Sequence, residues 1–413
     1  MIPLRLEEVA ALSAGSLTAA PGAEEITGVK VDSRRIEPGD LFVAIGRGID
    51  HAGDALRRGA AATLVPEDPF AAMAALGRAA RNRASARVVG ITGSTGKTST
   101  KDILAALCAQ SASTVAAEAS YNNEIGVPLT LCRLEPETEV CILELAMRGF
   151  GQIAELCEIA RPEIGLVTNV GPAHLELVGS LEGVLRAKGE LVAALPAGGT
   201  AIVPEEFPVE RDDIEVVRLI EPEVDFADGR AVVGGVSFNV GSRHQAANAA
   251  AALAALDALG LPRPDRVDVD FSRWRGEEIE LPGGGLLIND AYNANPVSMR
   301  AALIYLAERA GSRRRVAILG EMAELGPGAP EFHRAIGEEA ARVGIEALVA
   351  VGELAHGYLG GAVGVPVTRW ARDAAAAIAA AEEVVEPGDC VLVKASRAVG
   401  LEVVAEALAA VRA

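Results

Sequence analysis

The sequence lacks several features that would assign the protein to a particular class. It has five cysteines, an odd number, and no two are spaced as Cys-x-x-Cys, so we expect a reduced, cytoplasmic protein without a disulfide framework. No charge-free apolar run is long enough to cross a bilayer. The first eight residues include acids where a signal peptide has an apolar segment. We therefore expect neither membrane insertion nor export.

Basic residues are also scarce relative to acidic ones. The chain has 38 Lys and Arg against 57 Asp and Glu, a formal charge of −19. Such a balance argues against nucleic acid or an anionic membrane as the main partner, so an anionic ligand would need local basic sites. What the chain does have is 413 residues, 50% of them hydrophobic, which is enough for about two to four globular domains.

The pattern of strands and helices predicts an α/β protein with three domains. Residues 1–84 read as a small α/β domain with three short strands, and residues 313–413 as a carboxyl-terminal α/β domain. Between them, residues 85–312 alternate strands with helices, which predicts a mostly parallel sheet covered on both faces. In such sheets ligands collect at the carboxyl ends of the strands, where this sequence places several polar clusters.

A glycine-rich loop is the most informative of these clusters. It lies between the apolar run 86–90 and the amphipathic run 99–108, and it consists of Gly93, Ser94, Thr95, Gly96, Lys97, Thr98 and Ser99. Glycines allow backbone N–H groups to converge on a phosphate, the lysine can bridge outer phosphates, and the Thr98 hydroxyl can bind Mg²⁺. The strict pattern fails because Ile91 replaces a glycine. The alternative is an ordinary strand-to-helix turn with a surface lysine.

Lys188 lies within the apolar stripe of a predicted helix, among Leu181, Val184, Leu185, Leu191, Val192 and Leu195. A buried ammonium without a partner is costly, so the side chain should pair or lose its charge. A neutral lysine can react with CO₂ to form a carbamate, an anionic metal ligand. The alternative is a lysine whose stem packs while its charged end reaches solvent.

Two further strand ends carry candidate metal ligands. Glu144 interrupts the apolar strand 140–145, and His174 follows the loop after another strand. A carboxylate beside a phosphate loop is typical of a Mg²⁺ site. The alternatives are a capping or exposed glutamate and a structural histidine.

Three other polar segments follow predicted strands: Asp32–Arg34, Asn289–Pro296 and Lys394–Arg397. The first could hold a ligand, although polar strand ends usually just meet solvent. The second is dense in amides and acids around Tyr292, but Asn, Asp and Pro also favour turns. The basic pair in the third could bind a phosphate or a carboxylate.

Taken together, these segments resemble the Mur ligase family along the whole chain. The resemblance rests on Val31–Arg35 with Pro38–Ala44, on the loop Thr92–Thr98, on Asn169–His174, on Arg186–Glu190, on Asn289–Pro296, on Gly320–Gly326 and on Lys394–Gly400. It implies an amino-terminal UDP-binding domain, a central ATP-binding domain and a carboxyl-terminal Rossmann-like domain. It also favours a functional role for Lys188.

The resemblance implies a reaction in which ATP activates a carboxylate as an acyl phosphate that an amine then attacks. Two Mg²⁺ ions are implied. Thr98 and Glu144 would hold one, and His174 and a CO₂-derived carbamate on Lys188 would hold the other, for which Glu144 is a further candidate ligand. Lys97 would stabilise the γ-phosphoryl group. Adenine and ribose would be bound by Asn248, Asp290, Tyr292 and Asn293.

The segment Asn289–Pro296, called the tyrosine segment below, resembles the corresponding segment in the branch of the family that adds a dipeptide. The implied substrates are a UDP-N-acetylmuramoyl-tripeptide and D-alanyl-D-alanine. The resemblance implies these substrate-binding residues: Asp32, Ser33, Arg34, Phe42, Arg275, Lys394, Ser396 and Arg397. At Arg275 the family's Gly-Arg motif is matched only in part. Since these residues come from different domains, domain closure is expected. We expect a monomer.

Two other functions remain open from the residues. One is a related ligase that adds a single amino acid, or a folylpolyglutamate-type ligase, although the Asn-Ala-Asn-Pro run argues against both. The other is a phosphate-loop switch protein that signals through a partner. Such a protein would need neither Lys188 nor a UDP-binding domain.

Overall fold

The computed structural model describes residues 1–227 and 229–410. The amino-terminal part is built on a four-stranded sheet in the order β2-β6-β5-β4. The three predicted short strands are present in it, and β2 is a fourth strand that pairs antiparallel with β6 at one edge. Its elements are β1 (Leu4–Arg5), α1 (Leu6–Leu12), β2 (Gly15–Ala19), β3 (Glu25–Ile26), β4 (Gly28–Lys30), β5 (Asp40–Val43), α2 (Ala52–Arg57), β6 (Ala62–Pro66) and α3 (Pro69–Arg83).

The central part contains a six-stranded sheet in the order β12-β11-β10-β7-β9-β8. All of its pairings are parallel, which confirms the predicted sheet type. The strand β7 lies inside the sheet, so the loop that follows it emerges between neighbouring strand ends. The elements are β7 (Arg87–Thr92), α4 (Lys97–Cys108), β8 (Thr114–Ala116), α5 (Gly126–Leu131), β9 (Val140–Glu144), α6 (Gln152–Ala160), β10 (Ile164–Val167), α7 (Leu175–Val178), α8 (Leu181–Ala193), β11 (Thr200–Pro204) and β12 (Glu215–Leu219).

A small four-stranded sheet follows, and its first two pairings are antiparallel. The turn between β14 and β15 uses Gly234 and Gly235, both with positive φ, a conformation that glycine adopts without strain. The elements are β13 (Val224–Ala227), β14 (Arg230–Val233), β15 (Val236–Phe238), α9 (Arg243–Ala258) and β16 (Arg266–Val267).

The carboxyl-terminal sheet has six strands in the order β17-β18-β22-β19-β20-β21. Alternate residues of β18 fall in two apolar clusters, Leu286 and Ile288 in one and Leu287 in the other, as expected for a sheet buried on both faces. The elements are β17 (Glu277–Leu281), β18 (Gly285–Asp290), α10 (Pro296–Ala310), β19 (Arg315–Gly320), α11 (Ala329–Arg342), β20 (Ala347–Val351), α12 (His356–Gly361), β21 (Val367–Ala371), α13 (Ala374–Val384), β22 (Cys390–Lys394) and α14 (Glu402–Ala410).

The domain boundary predicted between residues 312 and 313 does not coincide with the start of this sheet. Strands β17 and β18 precede that boundary, yet β18 pairs in parallel with β22 over five residues, so the tyrosine segment belongs structurally with the carboxyl-terminal strands.

All five cysteines are buried and free, in line with the expectation of reduced thiols. Among the described residues no helix combines the length and apolar character needed to cross a bilayer.

The described residues form two compact units. The first comprises residues 1–168, 188–241 and 245–269, and the second comprises residues 169–187, 242–244 and those from Asp270 onward. The first unit therefore holds the amino-terminal, central and small sheets, and the second holds the carboxyl-terminal sheet.

Candidate active site

The glycine-rich loop connects β7 to α4 as predicted. Gly93 has φ 148° and Gly96 has φ 79°, a range that side chains other than glycine rarely adopt. Space is also restricted, because a Cβ atom on Gly93 would lie 1.8 Å from Thr168 Oγ1 and one on Gly96 would lie 2.3 Å from Asn248 Oδ1. Both glycines are therefore required for the shape of the loop.

Gly96→Ala should distort the loop. The added Cβ would meet Asn248, and the left-handed backbone would cost about 1–3 kcal/mol. We expect a lower free energy of unfolding and weaker ADP binding, measured by chemical denaturation and calorimetry. Gly360→Ala is the matched control, because Gly360 is helical and a Cβ there has no neighbour within 4 Å. Wild-type stability and ADP affinity in Gly96→Ala would contradict this account of the loop.

The start of α4 supplies the groups that a phosphate site requires. The Lys97 Nζ atom donates to the Gly93 carbonyl at 2.7 Å, so its ammonium curls back over the loop. The Thr168 hydroxyl donates to the carbonyl of Thr95 at 2.5 Å and fixes the loop from β10. Ser94 and Thr95 are buried. A glycine-rich loop at a helix amino terminus, with a lysine folded over it, is a favourable environment for an anion.

Glu144 ends β9 beside this helix and is 1% exposed, so it is not the exposed glutamate of the alternative interpretation. Its Oε2 atom accepts from the Thr98 hydroxyl at 2.8 Å, and its Oε1 atom accepts from Asn122 Nδ2 at 2.8 Å. A buried carboxylate and a hydroxyl at hydrogen-bond distance form a set of hard oxygen donors, which suits Mg²⁺.

Asn248, on α9, lies against the same loop. It is 4% exposed, and its Nδ2 atom has no hydrogen-bond partner among the described residues. A buried amide nitrogen without a partner is unfavourable by about 1–3 kcal/mol, so the position is suited to an acceptor atom of a bound molecule. Its predicted role in nucleotide binding stays a prediction.

Lys188 lies in the buried face of α8 and is 2% exposed, which rules out the alternative in which its ammonium reaches solvent. Leu181, predicted to share this face, is exposed at the start of the helix. Burial, and secondarily the positive charge of Lys97, hold the pKa of Lys188 well below its usual value. No hydrogen bond or ion pair to its ammonium occurs within residues 1–227 and 229–410. A neutral amine in this position can react with CO₂.

His174 precedes α7 in the second unit, where its ring Nδ1 atom contacts the carboxylate of Glu324. Both residues have positive φ, 55° and 62°. The Glu176 backbone N–H also donates to the Glu324 carbonyl at 3.3 Å. The contact between His174 Nδ1 and the Glu324 carboxylate fixes the orientation of the imidazole ring. Among the described residues, no three His, Cys, Asp or Glu side chains converge as a metal cluster.

The tyrosine segment and the Lys394 segment form one polar centre in the second unit. Asp290 and Lys394 are register partners at the ends of β18 and β22, and their side chains are 2.5 Å apart. Lys394 also donates to the Asn293 carbonyl at 2.8 Å. Burial lowers the pKa of Lys394, while Asp290 opposes this shift. The Ser396 hydroxyl accepts from the Ala323 backbone N–H at 2.9 Å and so joins the Gly320–Gly326 segment to this centre.

Two arginines flank this centre and stack on aromatic rings. The Arg275 guanidinium lies 4.0 Å from the centre of the Tyr292 ring, and that of Arg397 lies 4.6 Å from the Trp274 ring. Arg397 also pairs with Glu402 at 2.6 Å. Stacking of a guanidinium on an aromatic ring is a favourable cation–π contact and holds the plane of the guanidinium against the ring.

The predicted substrate residues of the amino-terminal part differ in character. Asp32 caps a short 3₁₀ turn and pairs with the Arg34 guanidinium at 2.7 Å, which holds the pKa of Asp32 at about 2. Ser33 is buried in that turn. Phe42 is 1% exposed and packs in a small core cluster with Ala44, Ala55 and Ala60, so its ring is a core side chain. The predicted contacts of these residues with a substrate stay predictions.

The structure thus groups the predicted residues into two sets. The loop, Glu144, Asn248 and Lys188 lie in the first unit, whereas His174, the tyrosine segment and the basic residues at 275, 394 and 397 lie in the second. Sequence reasoning missed Asn122 and Glu324. Asn122 lies in a polar run after a strand, the same signal that singled out other sites, and Glu324 lies within Gly320–Gly326, where it was given no role.

Comparison with known proteins yields two family matches. "Mur ligase middle domain" matches residues 91–219, and "Mur ligase, glutamate ligase domain" matches residues 274–397. The first range contains the glycine-rich loop, Glu144, His174 and Lys188. The second contains the tyrosine segment and Lys394.

Individual relatives are similar over nearly the whole chain. A UDP-N-acetylmuramoyl-tripeptide--D-alanyl-D-alanine ligase from Synechocystis sp. is 34% identical, covering 93% of this chain and 92% of the relative. A crystal structure of MurF from Acinetobacter baumannii has a TM-score of 0.84 at 26% identity and covers 99% of both chains. MurF from Thermotoga maritima in complex with ADP has a TM-score of 0.78 at 27% identity, covering 93% of this chain and 97% of that one.

Proposed function

Because the chain belongs to the Mur ligase family, we propose that it joins D-alanyl-D-alanine to a UDP-N-acetylmuramoyl-tripeptide in an ATP-driven step of peptidoglycan precursor synthesis. Relatives of that name match it over nearly their full length, and an ADP-bound MurF shares its fold. The observation that carries the proposal is the glycine-rich loop with Lys97 folded over it and Glu144 bonded to Thr98. Since the reaction uses ATP, we place it in the cytoplasm.

The chemistry explains why such a site is needed. A carboxylate does not react with an amine at neutral pH, so its oxygen first attacks the γ-phosphorus of ATP. The bond from this phosphorus to the bridging oxygen of ADP breaks, ADP leaves, and an acyl phosphate forms. The neutral amine of the dipeptide then attacks the carbonyl carbon, phosphate leaves with the former carboxylate oxygen, and the nitrogen loses a proton to give the amide. The loop orients the phosphate chain, and Lys97 stabilises the charge that develops on the transferred group.

Thr98 and Glu144 are the proposed ligands of a Mg²⁺ ion, which would reduce the repulsion between the phosphates and the substrate carboxylate. Asn122 holds the second carboxylate oxygen of Glu144 and so fixes the orientation of this ligand. Lys188, as a carbamate, and His174 are each proposed as further metal ligands. The burial of Lys188, which lowers the pKa of its amine, and the contact of His174 Nδ1 with Glu324 support these two assignments.

The polar centre of the second unit is proposed to bind nucleotide and acceptor groups. Asp290, Tyr292 and Asn293 would contact the nucleoside. Asn248, which lies on α9 against the glycine-rich loop, is separately proposed to bind the nucleotide. Arg275, Lys394, Ser396 and Arg397 would bind a phosphate or the dipeptide carboxylate. The UDP end of the other substrate is assigned to the amino-terminal part, through Asp32, Ser33 and Arg34.

A screen of phosphate release with defined acceptors tests this function. With ATP, Mg²⁺ and a UDP-N-acetylmuramoyl-tripeptide, we expect phosphate release that depends on D-alanyl-D-alanine. Glutamate, diaminopimelate and single D-alanine should give little release. Omitting the UDP-muramoyl peptide is the control. Release that is equal without this peptide would instead favour a nucleotide-hydrolysing switch protein.

A further inference from the structure

Lys101 is a buried lysine with no part in the reaction described above. It lies on α4, three residues after Thr98, so both side chains project from one face of the helix. It is 2% exposed, and its ammonium donates to the carbonyls of Ala117 at 2.7 Å and Ala119 at 2.8 Å. Asp102 lies 2.9 Å from the same nitrogen. The ammonium thus has two hydrogen-bond acceptors and one carboxylate as an ion-pair partner.

The segment that Lys101 binds connects β8 to α5. Ala119 has φ 45°, a left-handed conformation that alanine adopts only when surrounding contacts hold it there. Three residues later, the Asn122 carbonyl accepts from the Ala146 backbone N–H at 2.9 Å, just after β9. The Asn122 amide then donates to Glu144 at 2.8 Å. A continuous path therefore runs from Lys101 through residues 117–122 to the Glu144 carboxylate.

We propose that Lys101 is a positioning residue, which fixes the segment 117–122 so that Asn122 holds Glu144 in the orientation that binds the metal ion. This inference rests on the proposed function for the role of Glu144. Helix α4 then acts on Glu144 in two ways, directly through the Thr98 hydroxyl and indirectly through Lys101 and Asn122. Carboxylate ligands with both oxygens fixed in this way need less reorganisation when a metal binds.

A double-mutant cycle tests the path. Mn²⁺ affinity in the presence of ADP is measured by electron paramagnetic resonance for the full chain, for Lys101→Met, for Asn122→Ala and for the double variant. Partners that orient a metal ligand typically change affinity by about 10–100-fold. We expect each single variant to weaken Mn²⁺ binding about tenfold and the double variant to be little weaker than either, because both changes interrupt one path.

Two further variants separate positioning from general stability. Thr100→Val lies beside Lys101 and removes a buried hydroxyl without a hydrogen-bond partner, so it should leave Mn²⁺ affinity unchanged and keep or raise Tm. Lys101→Gln retains two N–H donors and should weaken Mn²⁺ binding less than Lys101→Met. If the methionine variant does not fold, the cycle is run with Lys101→Gln.

Wild-type Mn²⁺ affinity in a folded Lys101 variant would overturn the proposal, and so would strictly additive losses in the cycle. Ligase activity of the wild-type protein is assayed separately. A protein that binds Mn²⁺ with ADP but does not join D-alanyl-D-alanine to the UDP-peptide would contradict the proposed function, while the cycle would still report on Lys101.

Discussion

Lys188→Ala should lose ligase activity and recover part of it when a short carboxylic acid such as acetate is added. Burial and the charge of Lys97 lower the pKa of Lys188. More of its amine is therefore neutral at neutral pH than in an exposed lysine, and only the neutral amine reacts with CO₂. The alanine variant cannot form a carbamate, but it leaves space where a carboxylate can supply similar oxygen ligands. The measurement is kcat from phosphate release across an acetate titration.

Two controls make this result specific. Gly189→Ala changes the adjacent residue, where a Cβ has no neighbour within 4 Å, and it should keep wild-type activity. Lys97→Ala should lose activity without recovery by acetate, because its role requires a positive charge. Full activity of Lys188→Ala in buffer free of carboxylic acids would refute the carbamate.

Lys97→Met should lower kcat/KM by at least about a hundredfold. The substitution keeps the length of the side chain but removes the charge that stabilises the γ-phosphoryl group during transfer. Comparable lost electrostatic contacts raise a reaction barrier by about 3 kcal/mol or more. Steady-state kinetics with saturating UDP-peptide and dipeptide measure the loss.

ADP affinity serves as the companion measurement for Lys97→Met. If the lysine acts mainly on the transferring group, ADP binding should weaken much less than kcat/KM falls, because ADP lacks the γ-phosphate. A kcat/KM within tenfold of wild type would contradict the assigned role. Equal losses in ADP affinity and kcat/KM would instead make Lys97 a general nucleotide-binding residue.

Local patterns in the sequence were sufficient for much of the fold. The glycines and the Lys-Thr pair between an apolar and an amphipathic run predicted the junction of β7 and α4. The apolar stripe placed Lys188 on the buried face of α8. Alternation of strands and helices predicted the parallel central sheet. These features depend on neighbours within about two helical turns, which a single sequence displays directly.

Features that depend on distant partners were not predictable in the same way. The carboxylate of Glu144 accepts a hydrogen bond from Asn122, which lies in another connection, and no local pattern links the two residues. Strand β18 pairs with β22, about 100 residues later. The domain boundary predicted from chain order therefore separates two strands of one sheet. Strand β2 is largely exposed and lacks the apolar alternation that reveals a strand.

The most direct test of the central claim follows the oxygen atoms of the substrate. A UDP-N-acetylmuramoyl-tripeptide labelled with ¹⁸O in its reacting carboxylate is incubated with the protein, ATP, Mg²⁺ and D-alanyl-D-alanine, and the released phosphate is analysed by mass spectrometry. If the terminal phosphate of ATP activates the acid, each phosphate formed with a new amide bond should carry one ¹⁸O atom. Amide formation with unlabelled phosphate would contradict the acyl phosphate and with it this account of the site.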